Sequence, residues 1–255
     1  SGPIGFLMRL AYLFLISSLS ILLSSRSYID YESPYHPVVG NSGMVVSQNF
    51  LSSEIGIEIL NKGGNAVDAA VAVGFSLAIT LPRAGNLGGG GFMLVYIKEK
   101  DDIFYIDYRS KSPLNSNIEN IFNITNNTEV PLIHTPKTFT DKSFDVLDKG
   151  YIAPAVPGTV AGLLEAHSSF GRLPLKDILN PVIRQASEGI LVSYDLHKAI
   201  ESTPRLRSDP ESKRIYFIDD APLPQNHLLK MPDLAKTLAL ISTKGIDGFY
   251  DGEIA

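Results

Sequence analysis

The chain contains no cysteine, so disulfides, thiolate nucleophiles and cysteine-held metals are excluded. Concentrated positive charge is missing too: the formal net charge is −5 and no Lys/Arg-rich block occurs. Without a basic field to follow a phosphate backbone, nucleic acid is not an expected partner. The five histidines, at positions 36, 134, 167, 197 and 227, show no His-x-x-x-His or His-Glu-x-x-His spacing. They read as surface or capping side chains, and neither a metal nor a cofactor is expected. A Gly-x-Ser-x-Gly elbow is absent. So are internal repeats and low-complexity segments.

What is present suits a globular protein with a sizeable core, since 44% of the 255 residues are hydrophobic and 19% charged. Met8 and Arg9 precede an apolar run over residues 10–23, followed by the small residues Ser24, Ser25 and Ser27. This is the order of a secretory signal, so residues 1–27 are expected to be a leader, and the protein periplasmic or secreted. An uncleaved membrane anchor is the other reading of the same run. Residues 28–255 are expected to form one domain.

Ser52 or Ser53 is placed to cap a helix running to Lys62, with Gly63 and Gly64 as its left-handed exit. Asn65 is expected to cap a second helix over "AVDAAVAVGFSLAIT", apolar on every side and therefore buried. Residues 92–97 and 103–108 predict a hairpin around the charged turn "KEKDD", with Arg109 at the far end of its second strand. The stretch 114–150 is rich in Asn, Thr, Lys and Asp and predicts long loops with one short helix at most. It holds Asn-x-Thr sequons at Asn123 and Asn126. Further helices are expected from about Thr159, over "PLKDILNPVIRQASEGI", and over an amphipathic stretch closed by Gly245.

The four glycines at 88–91 invite a phosphate-binding reading, but no Lys-Ser/Thr follows them and the dinucleotide spacing fails at Met93 and Leu94. They also lie between a helix and a strand, the reverse of the order that aims a helix N-terminus at an anion. Close backbone packing is the better account. Asp107 and Arg109 share one face of their strand, so Asp107 is placed to orient Arg109 or to neutralise it.

Residues 43–95 contain "GGNAVDAAVA" followed by "AGNLGGGGF", and "IDYRSKSP" (106–113), "AVPGTVAGL" (155–163) and the closing "LAKTLALISTKGIDGFYDGEIA" come after them. In this order the motifs resemble the large subunit of gamma-glutamyltranspeptidases. The resemblance implies an α/β fold, the αββα sandwich of N-terminal-nucleophile hydrolases, from a precursor that cuts itself into large and small subunits. It further implies glutathione or another γ-glutamyl donor, an amino acid or dipeptide acceptor, and the small subunit of the same precursor as partner. The nucleophile would be the small subunit's N-terminal threonine, whose own α-amine serves as base.

No threonine of this sequence stands in the family's Thr-Thr-His context, so no catalytic residue is expected in it. Arg109, in "DYR", matches the arginine that grips the donor's α-carboxylate. Ser110 and Ser112 stand where the family commonly has Glu and Ala. Two alternatives accompany this reading. One is a related acylase of the cephalosporin or glutaryl type; the other is a non-catalytic fragment serving as a binding or scaffold protein.

Overall fold

The computed structural model describes residues 38–114 and 154–255. The expected leader, both sequons and nearly all of the expected loop region lie outside them. The chain divides into two units, Ser1–Met44 and Val45–Ala255. Of the first, residues 38–44 are described and carry neither helix nor strand.

The second unit opens with helix α1, Phe50–Asn61. Its cap is Asn49, whose side chain accepts the Leu51 N–H at 3.0 Å, and not Ser52 or Ser53. Ser52 is buried one turn in, where its hydroxyl meets those of Ser76 at 2.8 Å and Thr80 at 2.7 Å. A buried hydroxyl needs a partner, and the neighbouring helix supplies two. Gly63 leaves α1 at φ 88°, as expected.

Helix α2, Ala66–Thr80, begins at Asn65, whose side chain accepts the N–H groups of Val67 and Asp68 at 2.9 Å each. Asp68 returns a bond to the Asn65 N–H at 2.9 Å, which completes a capping box. Strands β1, Phe92–Ile97, and β2, Asp102–Asp107, then pair antiparallel with Phe92 opposite Asp107. The second strand thus starts and stops one residue before the expected bounds, with Asp101 in the turn at φ 48°.

Helix α3, Thr159–Phe170, and helix α4, Leu175–Glu188, follow, then β3, Ile190–Leu191, and α5, Tyr194–Glu201. After α6, Pro210–Tyr216, come β4, Phe217–Ile218, β5, Ala221–Pro222, and β6, Leu228–Leu229. Strands β3 and β6 pair antiparallel, as do β4 and β5. Helix α7, Pro232–Lys244, closes at Gly245 with φ 61°, and a last turn, α8, spans Asp247–Tyr250. Among the described residues no helix is long and apolar enough to cross a membrane.

Helix α2 is the centre, packed against α1, α3 and α4, and α4 packs in turn against α7. Ile59, Phe75, Ile79, Val160, Ile178, Leu179, Leu238 and Ile241 are wholly excluded from solvent there. Burial on this scale supplies the main driving force, roughly 1.5–3 kcal/mol for each large apolar side chain. The hairpin lies against this layer through Met93, Val95, Ile97, Phe104 and Ile106, with the Phe104 and Phe170 rings 4.9 Å apart. Its other face is bare: Phe92, Leu94, Tyr96, Ile103 and Tyr105 are 56% to 72% exposed.

Candidate functional site

Arg109 emerges where β2 ends, exposed, at the edge of a cleft of about 420 Å3. Tyr108, Lys111, Pro157, Glu165 and Tyr250 line the same cleft. Asp107 Oδ1 accepts the backbone N–H of Arg109 at 2.9 Å. The aspartate therefore fixes the main chain at this corner and does not engage the guanidinium. Among the described residues no carboxylate pairs with that guanidinium.

The corner is built from backbone. Tyr108 and Gly91 exchange both hydrogen bonds, at 3.0 and 3.2 Å, and Lys111 exchanges both with Val156, at 3.1 and 2.7 Å. Gly89 O accepts from the N–H groups of Gly158 and Thr159 at 2.8 and 3.1 Å. The stretch 108–111 thus lies between the glycine run and the entry to α3. None of the glycines at 88–91 has a positive φ. Close approach is what requires them: a Cβ on Gly90 would stand 2.5 Å from Ser110 N and 2.7 Å from Tyr108 O.

Tyr108 is the wedge at the corner, and sequence reasoning missed it. Its ring covers Gly162 in α3, where any Cβ would collide with it, and its carbonyl stands equally close to Gly158. The available signal was the pair Gly158 and Gly162 in "PGTVAGL", four apart and so on one helical face left bare for something large. Burial pushes the Tyr108 hydroxyl pKa up, which keeps it neutral.

The remaining candidates are structural. His167 Nε2 and His197 Nδ1 each lie 2.8 Å from a backbone carbonyl, of Leu173 and Leu223. A larger cavity, about 740 Å3, opens between Pro82, Arg214, Phe217, Leu229 and Met231 and does not include Arg109. Its size alone gives it no chemistry.

A family model described as gamma-glutamyltranspeptidase matches residues 52–255. The chain belongs to the gamma-glutamyltranspeptidase family. It is 35% identical over 243 residues to the glutathione hydrolase proenzyme of Pseudomonas sp. (strain A14), covering 93% of this chain and 39% of that protein. The chain thus spans about two fifths of the length of that relative.

The solved gamma-glutamyltranspeptidase of Helicobacter pylori matches with a TM-score of 0.73 at 32% identity, over 86% of this chain and 59% of that one. The α/β fold implied by the sequence is therefore the fold found. A cephalosporin acylase from Bacillus halodurans matches with a TM-score of 0.68 at 24% identity, over 87% of this chain and 40% of that one. That likeness is one of fold and favours no acylase donor.

Proposed function

We propose that the chain is the large-subunit portion of a gamma-glutamyltransferase/glutathione hydrolase whose small subunit, cut from the same precursor, carries the nucleophilic threonine. The observation that carries this reading is Arg109, an arginine at a cleft edge with a rigid backbone beneath it and no carboxylate partner among the described residues. Its guanidinium would hold the donor's α-carboxylate through two parallel charge-assisted bonds.

The threonine hydroxyl would then add to the γ-carbonyl carbon while its proton passes to the threonine's own α-amine. The C–N bond breaks, the leaving amine takes that proton, and an ester remains. Water, an amino acid or a dipeptide attacks the ester and carries off the γ-glutamyl group. The bare face of the β1–β2 hairpin supports the partner assignment, because a second sheet laid on it would complete a sandwich with helices outside.

Replacing Arg109 in the processed enzyme tests the assignment. Arg109→Ala should lower kcat/KM for a γ-glutamyl donor about ten- to a hundredfold, from the roughly 1.5–3 kcal/mol of a charged hydrogen bond, and Arg109→Lys should lower it less. An analogue with an amidated α-carboxylate should lose almost nothing, and self-cleavage of the precursor should continue. Equal losses on both donors, or none, would remove Arg109 from the donor site.

Export is part of the same proposal, and it rests on Met8, Arg9 and the apolar run over residues 10–23. Produced from its native start in a bacterium, the protein should leave the cytoplasm with a new N-terminus between residues 25 and 31. N-terminal sequencing of the exported protein reads this directly. Finding only cytoplasmic protein with the run intact would reject it.

A further inference from the structure

The Tyr250 hydroxyl sits between the two ends of one turn beside the arginine corner. It donates to Pro157 O at 2.7 Å and accepts the Ala161 N–H at 3.2 Å. Ala161 is the third residue of α3, whose N-cap position is Gly158 and carries no side chain to receive that N–H. An N-cap Ser or Asp would normally supply the oxygen. Here it arrives from α8, at a separation of 89 residues.

The bond to Pro157 reaches further than a cap. Residues 156–158 are the segment that bonds Lys111 on one side and Gly89 on the other, so holding Pro157 O fixes the wall against which the 108–111 stretch is laid. Arg109 lies between that wall and the glycine run. Both sides are held by paired main-chain bonds, Gly91 with Tyr108 and Val156 with Lys111, and the Tyr250 phenol is the side chain that ties the second wall to the first turn of α3. Burial pushes the Tyr250 pKa up, so the hydroxyl keeps the proton it donates.

We propose that Tyr250 is a positioning residue for donor binding: its hydroxyl pins the 157–161 turn and thereby sets the direction in which Arg109 is presented to the donor carboxylate. This rests on the reading of Arg109 given above. Tyr250 lines the same cleft, but both bonds of its hydroxyl go to main-chain groups of the 157–161 turn, so its effect is assigned through the arginine. A misdirected guanidinium weakens ground-state and transition-state binding alike, so the loss belongs in KM and not in kcat.

The test is Tyr250→Phe in the processed enzyme, which removes one oxygen and keeps the ring against Phe249, 5.0 Å away. KM for a donor with a free α-carboxylate should rise about two- to tenfold, the range of one hydrogen bond, with kcat unchanged. KM for the amidated donor should not move. In an Arg109→Ala background the substitution should add nothing, and replacing Tyr250 by p-aminophenylalanine, which still donates to Pro157 O, should restore KM.

A merely structural tyrosine would affect both donors equally, and that result would overturn the proposal. So would no change in KM, a fall confined to kcat, or failure of the Phe variant to assemble, since the last would make the hydroxyl a folding requirement. The two readings fail separately. If Arg109→Ala does not separate the two donors, the arginine assignment falls and takes this one with it. If Arg109→Ala separates them and Tyr250→Phe does not, only the tyrosine assignment falls.

Discussion

Asp68 is wholly buried, yet every hydrogen bond it requires is present. One carboxylate oxygen takes the Asn65 N–H at 2.9 Å, and the pair takes the N–H groups of Arg172 at 3.0 and 3.1 Å and of Leu173 at 3.2 Å. It also stands in the first turn of α2, where the helix dipole favours negative charge. Asp68→Ala would leave three donors facing a void, each costing about 1–3 kcal/mol when buried and unpaired. We expect a loss of about 3–5 kcal/mol, read as a lower denaturant midpoint of the assembled protein at an unchanged slope. A loss under about 1 kcal/mol would show that water replaces the carboxylate at no great cost. Half of this arrangement was legible in the sequence, because Asn65 and Asp68 stand three apart before an apolar run. The other half was not: nothing local in "GRL" announces that its N–H groups close on a side chain 104 residues earlier. The misplaced cap of α1 has the same origin, since Ser52 is used across a helix pair that only the fold creates.

Long periodic elements were readable and short ones were not. Helices α1 to α4 and α7 and the β1–β2 hairpin follow from apolar spacing and punctuation by Gly, Pro and Asn, with bounds shifted by one or two residues except at the start of α1, whose cap lies three or four residues before the expected one. The two-residue strands β3 to β6 carry no period, and α5 and α6 are too short to declare one. Their starts are visible afterwards in Ser193 and Asp209, each of which caps its helix. The arginine corner was half readable for a related reason. The hairpin that delivers Arg109 has a sequence signature, but its packing between residues 88–91 and 156–158 is a meeting of three separate segments. One signal did survive: β1 reads "FMLVYI", apolar on both faces. A half-exposed strand alternates, whereas a continuous run belongs to a strand covered on both sides.

At the scale of the described residues that run is covered on one face. The helical layer buries Val95 and packs on Met93 and Ile97, while Phe92, Leu94 and Tyr96 face outward together with Ile103 and Tyr105 of the paired strand. Five large apolar side chains on one flat face exceed what a soluble chain normally leaves in water. Covering them would contribute up to roughly 1.5–3 kcal/mol each, enough to hold a second sheet in place. These 255 residues produced alone should therefore associate into aggregates, and they should neither cleave themselves nor turn over a γ-glutamyl anilide, because the sequence has no Thr-Thr-His nucleophile. Leu94→Lys with Tyr105→Lys, opposite each other in the register, should make the lone chain soluble. The same pair should abolish assembly when the chain is produced together with a small-subunit segment carrying the nucleophile. Size-exclusion chromatography of both preparations, with an anilide assay on each fraction, decides the matter. A monodisperse, soluble unsubstituted chain, or an active complex bearing both lysines, would mean that the second sheet does not lie on this face.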